Sequence, residues 1–221
     1  MDIKLAYGIK EGHVVHISEI GLAKKGERCN CTCPACGEVL VAKLGNKKQH
    51  HFAHKSSSNC DIAYAQETGL HKLAKQILQE SQSILVPGYN ISWYEIVPKD
   101  VDSFVAANVK VDFPNKRSKM VEYSSVAIEK TIDDIVADAV IEVQGKYCIV
   151  EIKVSHPVDE IKVKKLEKIG ISAFEINLIN LLKSSPTRED IVYAILFDET
   201  NRYWVFNGLK EQKLREKKNE F

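Results

Sequence analysis

The stretch DAVIEVQGKYCIVEIKVS, Asp138 to Ser155, decides how the rest of the chain is organised. Two apolar runs, DAVIEV and YCIVEIKVS, flank Gln144-Gly145-Lys146, a pattern that predicts an antiparallel hairpin. Side chains alternate faces along a strand, so Glu151 and Lys153 share one face. Cys148, Val150 and Ile152 take the opposite, buried face, with Ile149 leaning toward the charged side. Asp138, on the first strand, is brought level with Glu151 to Lys153. Two carboxylates side by side need a partner, and a divalent cation satisfies both. Oxygen donors, with positions left for water and phosphate, describe Mg2+ or Mn2+ better than Zn2+. Lys153 beside such an ion would orient or deprotonate water, or offset charge building on a phosphate. An E-x-K pair is by itself a common surface pattern. Here it interrupts an apolar segment expected at the centre of a sheet, where charges need a reason.

Elements alternate on both sides of this hairpin. PVDEIKVKKLEKIG (157–170) predicts a helix, AFEINL (173–178) a strand, REDIVYAILF (188–197) a helix and RYWVFN (202–207) a last strand. KEQKLREKKNEF (210–221) is polar and expected to be solvated and frayed. Upstream, Leu70, Leu73, Ala74, Ile77 and Leu78 fall at helical spacing and predict a helix over 64–81. The region 84–119 is mixed, with strand-like ILVPGYNISWYEIV and FVAANVKVDF. Strands alternating with helices predict an α/β fold, a mixed central sheet flanked by helices. Glu67, His71, Ala74 and Leu78 share one line at the border of the apolar stripe. Glu67 is therefore placed to add a carboxylate to the same ion, or, equally, to offset the helix dipole in the first turn.

The amino-terminal part has a different character. KLAYGIK, EG and HVVHISEI (4–20) predict a hairpin, and EVLVAKL (38–44) a short strand. Five of the six cysteines lie between Cys29 and Cys60, together with His50, His51 and His54. The start of the chain shows no apolar signal segment and no stretch is long enough to span a membrane, so an intracellular, cytoplasmic chain is expected. In reducing conditions clustered thiols read as metal ligands rather than disulfides. Cys33-x2-Cys36 followed by His51-x2-His54-x5-Cys60 is a specific pattern. Cys33, Cys36, His54 and Cys60 make a four-coordinate set suited to a closed, structural Zn2+. His50, His51, Cys29 and Cys31 compete for the same positions, and free thiols on a surface loop are the bland alternative. The division expected is a zinc-binding β module over 1–62, an α/β domain over 63–210 and a polar tail over 211–221.

Composition narrows the function classes. The chain has 221 residues, with 31 Lys+Arg against 30 Asp+Glu and a net charge of +1, which excludes a polycation that binds by bulk field. Lys162, Lys164, Lys165 and Lys168 form a local basic face, a pattern more often merely solvated than nucleic-acid-binding.

CPACGEVLVAKLG, KQHHFAH, Cys60, Glu67 and His71, followed by the Asp138…Glu151-x-Lys153 hairpin, resemble the CoiA-like competence proteins and related bacterial nucleases. Those proteins join a zinc-binding segment to a restriction-endonuclease-like PD-(D/E)XK core. RYWVFN is similar to the family's late strand, and 84–130 matches nothing nameable. The resemblance implies Mg2+-dependent cleavage of DNA phosphodiesters, in competence, recombination or antiviral defence. It makes Asp138, Glu151 and Lys153 the motif residues and Glu67 the glutamate of the first core helix. Ala137 stands where the motif usually has proline. The implied Mg2+ or Mn2+ ligands are Asp138, Glu151, Glu67 and the carbonyl of Ile152, with His156 and His71 as substrate contacts. Two other functions fit the same features. One is a non-catalytic zinc-containing DNA-binding or adaptor subunit; the other is an interaction subunit that recruits an ATPase or helicase.

Overall fold

A computed structural model describes residues 4–55, 58–96, 115–155, 157–184 and 186–219. Strands β1 (Tyr7–Lys10), β2 (His13–His16), β3 (Gly26–Thr32), β4 (Val39–Lys43) and β5 (His51–His54) form one antiparallel sheet, ordered β2-β1-β3-β4-β5. The hairpin and the strand at 38–44 are where the sequence places them. Strands β3 and β5 also run through the Cys/His-rich segment, in addition to the strand expected at 38–44.

Helix α1 (Ile62–Glu80) follows. Asp61 caps it, its Oδ1 accepting from the N–H groups of Ala63 and Tyr64 at 2.8 and 3.2 Å. Two small sheets come next, β6 (Ser83–Val86) with β9 (Lys119–Glu122) and β7 (Tyr89–Asn90) with β8 (Asn115–Lys116), together with the short helix α2 (Trp93–Ile96). The strand-like run ILVPGYNISWYEIV is thus two short strands and a helical turn, while FVAANVKVDF lies outside the described residues.

The carboxyl-terminal half contains β10 (Ser125–Ile132), β11 (Ile135–Val143), β12 (Lys146–Lys153), α3 (Glu160–Ile169), β13 (Ala173–Asn177), α4 (Ile179–Lys183), α5 (Arg188–Leu196), β14 (Arg202–Phe206) and α6 (Gly208–Lys218). Its five strands form a sheet in chain order, antiparallel except for the parallel pair β12/β13. The expected mixed α/β sheet is present. Gln144 and Gly145 both take positive φ (50° and 74°), the mirror-image turn that suits the twist of a two-residue hairpin loop.

The tail is a correction. Residues expected to fray continue the helix α6 through Lys218, because Asn207 caps its first turn and Lys210 reaches Glu95 of α2 at 2.6 Å. Lys213 and Gln212 pair with Glu216 one turn on, which steadies the exposed end.

One apolar core runs unbroken from the first sheet through α1 into the second sheet, joining Tyr7, Leu40 and Phe52 to Leu70, Leu73, Ile141, Phe174 and Ile195. A smaller core of Ile135, Ala137, Val140, Ile149, Leu166 and Ala173 lies on the other face of the second sheet, under α3. Strand β12 is therefore covered on both faces. Ile149, expected to lean toward the charged site, is fully buried in the smaller core.

Helix α1 is held to the first sheet by polar as well as apolar contacts. Gln66 Oε1 accepts from Ala6 N–H and Gln76 Oε1 from Val14 N–H, each at 2.7 Å. Gly69 lies so close to β1 that a Cβ there would come within 2.5 Å of Tyr7 Cβ. Gly69→Ala is expected to destabilise the protein by about 3 kcal/mol through overpacking, read as a fall in melting temperature. An unchanged melting temperature would refute the close packing of α1 on β1.

Candidate functional site

Two constellations stand out, one on each side of α1. The first lies at the end of the amino-terminal sheet. Cys33 follows β3, and its turn is closed by Gly37 N–H donating to Cys33 O at 3.0 Å and Cys33 N–H to Glu38 O at 2.8 Å. That turn returns the chain into β4, whose Leu40 pairs with His54 at the end of β5. Cys60 arrives just before the α1 cap, and Lys72 of α1 donates to Pro34 O at 2.8 Å, tying the knuckle to the helix.

The donor atoms of Cys33, Cys36, His54 and Cys60 all lie within 4.8 Å of one another. Cys33 and Cys60 sulfurs are 3.8 Å apart, and Cys36 Sγ lies 3.3 Å from His54 Nε2. Zinc–sulfur bonds of about 2.3 Å imply sulfur–sulfur edges of about 3.8 Å in a tetrahedron. The cluster is compatible with a closed structural zinc. The competitors are placed elsewhere. His51 Nδ1 is 2.9 Å from Gln49 O, and Cys29 and Cys31 are buried core residues whose thiols donate to Leu40 O and Cys29 O. Burial pushes the Cys31 thiol up to about 12, so it stays a neutral apolar group.

The second constellation lies where β11 and β12 part. Their ladder is regular from Val143↔Lys146 to Ala139↔Val150. At the next step Asp138 Oδ2 accepts the Ile152 N–H at 2.9 Å, so a side chain takes the place of a backbone acceptor. Asp138 Oδ1 lies 3.0 Å from His71 Nε2 and 3.1 Å from Lys75 Nζ, both on α1. Lys75 Nζ also reaches Glu129 Oε1 of β10 at 2.9 Å. Burial works to raise the Asp138 carboxyl, but His71, the Ile152 N–H and Lys75 outweigh it and hold it down at about 2.

Glu151 is 3% exposed. Its Oε2 accepts from Lys162 Nζ of α3 at 2.7 Å, while its Oε1 is buried without a hydrogen-bond partner among the described residues. Burial pushes this carboxyl up to about 7 against the pull of Lys162, and the charges of Asp138 and Glu175 add to the rise. Lys153 Nζ stands 3.9 Å from Glu175 Oε1. Glu175 is aligned with Glu151 in the parallel β12/β13 register and is 1% exposed. Its Oε2 accepts from Val158 N–H at 2.8 Å, and Tyr203 OH donates to its Oε1.

Asp138, Glu151 and Lys153 are thus brought to one end of the hairpin, as the sequence predicts. Glu67 is engaged by the Ser155 hydroxyl at the end of β12. Among the described residues, Asp138, Glu151 and Glu67 do not form a compact donor cluster like that of the thiols and His54. The physical reason is that each carboxylate is drawn to a partner of its own: Lys75, Lys162 or Ser155. His71 is beside Asp138, and His156 lies outside the described residues.

Sequence reasoning missed Lys75, Lys162, Glu175 and Tyr203. Lys75 continues the four-residue spacing Glu67–His71–Lys75, a polar seam visible in the sequence. Glu175 interrupts the apolar AFEINL just as Glu151 interrupts its own strand. Of the lysines expected to be merely solvated, Lys162 holds Glu151 and Lys165 holds Asp134 at 2.7 Å.

Two outcomes test this geometry. Purified protein is expected to carry zinc, and Cys33→Ser to lose both the metal and the order of residues 26–60, checked by metal analysis and melting. The second concerns pH. Glu151 is protonated in the folded state up to about pH 7 but ionises near its ordinary value when unfolded. Its contribution is fully present at low pH and is lost as pH rises from about 4.5 to 7. Glu151→Gln is therefore expected to exceed the wild type in metal-free stability at pH 8 by up to about 3 kcal/mol, with the gap closing at pH 5.

Residues 15–63 match the family described as Competence protein CoiA, N-terminal domain. The chain is also similar to Competence protein CoiA of Bacillus subtilis (strain 168), 37% identical over 70 residues that make up 29% of this chain and 19% of that protein. The chain therefore spans about a fifth of the length of the curated relative it matches. No solved structure matches. The segment that carries β3 to β5 and the Cys/His cluster is thus similar to the N-terminal domain of competence protein CoiA.

Proposed function

We propose that this chain is a divalent-metal-dependent DNA nuclease with a restriction-endonuclease-like core, steadied by a structural zinc and acting in DNA uptake. The observation that carries the reading is the Asp138–Glu151–Lys153 arrangement at the parting of β11 and β12, with Glu151 Oε1 buried and unpartnered. A buried carboxylate oxygen without a partner is costly unless a cation or donor completes it. The donor set, all carboxylate and carbonyl oxygen, suits Mg2+ or Mn2+. The similarity of residues 15–63 to a competence protein supports the role in DNA uptake.

Asp138 and Glu151 would hold the ion, with the Ile152 carbonyl and Glu67 as further oxygens. The ion, when bound, supplies Lewis-acid charge on the phosphoryl oxygens. Asp138 is kept ionised by His71, Lys75 and the Ile152 N–H, so it is ready as a ligand at any physiological pH. Glu151 is completed as a ligand only when its proton leaves. Lys153, steered by Glu175, orients the attacking water and offsets the charge that grows as the P–O bond breaks.

A second reading is a non-catalytic DNA-binding subunit. It is favoured by the lysines already seated on both carboxylates, Lys75 on Asp138 and Lys162 on Glu151, which would also serve as a structural ion-pair network. A cleavage assay separates the two. With Mg2+ or Mn2+ the protein is expected to cut DNA, and Asp138→Ala or Lys153→Ala to lower the rate by at least about a hundredfold. Tight DNA binding with no metal-dependent cleavage would favour the second reading, and cleavage undiminished in both variants would remove the site assignment.

A further inference from the structure

Lys162 is the cation that pairs with Glu151. It stands in the first turn of α3, placed there by Asp159, whose Oδ1 accepts the Lys162 N–H at 2.7 Å. Its ammonium donates to Glu151 Oε2 at 2.7 Å and to the Val136 carbonyl at 2.9 Å. The other two lysines differ from it. Lys75 is 9% exposed and bridges Asp138 and Glu129, so it is locked between two acids. Lys153 faces Glu175 rather than either carboxylate assigned to the metal. The Lys162 side chain is 22% exposed, against 11% for that of Lys75.

The acids around the hairpin end are held by lysines, with Glu129 sharing Lys75. Asp138, Glu151 and Glu175 face Lys75, Lys153 and Lys162. A divalent ion arriving at Glu151 meets an ammonium on one carboxylate oxygen and a bare oxygen on the other. Two cations on one buried carboxylate repel strongly at low local dielectric, so the ion and Lys162 compete for it. The ion brings two positive charges and frees Lys162 from its carboxylate, a change that suits the phosphates of a nucleic acid.

We propose that Lys162 is the resident counter-cation of the metal site, holding Glu151 until a divalent ion displaces it and then binding the DNA phosphate. This rests on the nuclease reading above. The test uses the full, zinc-loaded chain at pH 8.5, with free Mn2+ measured by electron paramagnetic resonance. Lys162→Met is expected to bind Mn2+ about tenfold or more tightly than the wild type, because it removes the competing charge. Lys162→Arg, whose planar guanidinium grips a carboxylate by two bonds, is expected to bind Mn2+ more weakly. In the presence of Ca2+, Lys162→Met is expected to lose several-fold in affinity for a DNA duplex.

Unchanged or weaker Mn2+ binding in the methionine variant overturns the competition, and unchanged DNA affinity overturns the hand-over. Should that variant fail to fold, equal or tighter Mn2+ binding in the arginine variant overturns the competition instead. The underlying nuclease reading fails separately, when Glu151→Gln leaves the Mn2+ affinity of the protein unaltered; the proposal then falls with it.

Discussion

Gly69 and Tyr7 meet so closely that no methyl group fits between helix α1 and strand β1. That contact sets where the helix stands, and the rest of the molecule is arranged around it. On one side Gln66 and Gln76 satisfy backbone N–H groups of the first sheet. On another side Leu70, Leu73 and Leu78 enter the core shared with the second sheet. The same register aims His71 and Lys75 at Asp138 and sets Glu67 against Ser155. A displacement of α1 by one residue would turn these groups away from the hairpin end.

The hairpin end is electrostatically divided. Asp138 and Glu151 sit on neighbouring strands, yet their surroundings move them in opposite directions. Asp138 is surrounded by donors and cations that favour its charge, and lies low, at about 2. Glu151 is more deeply enclosed, has one cation and two neighbouring acids, and lies high, at about 7. Carboxyl groups separated in this way can take different parts in one reaction.

The Cys/His cluster plays a different part. The first sheet is small, and the knuckle between β3 and β4 has little apolar surface to bury. A metal held between Cys33, Cys36, His54 and Cys60 would join that knuckle to the end of β5 and the start of α1. Because Lys72 of α1 reaches the same knuckle, order in the cluster is passed to the helix that faces the second site.

Much was legible before any coordinates. Hairpin 138–155, a helix read over 64–81 and found over 62–80, the mixed α/β class and the Cys3His set follow from period, turn chemistry and ligand spacing, which are local properties of the chain. The extent of helix α6 was not legible, since its stability comes from the Asn207 cap and from Lys210 reaching Glu95 across the fold. Nor were the partners of the acids. By itself the sequence singled out Asp138, Glu151 and Lys153, the hairpin that carries them, and the Cys/His set. Only the tertiary structure decided that Lys75 and Lys162 sit on Asp138 and Glu151, that Glu175 stands beside Lys153, and that Cys29 and Cys31 belong to the core. Ion pairs and burial between residues tens of positions apart depend on how whole elements pack, and no local pattern encodes that.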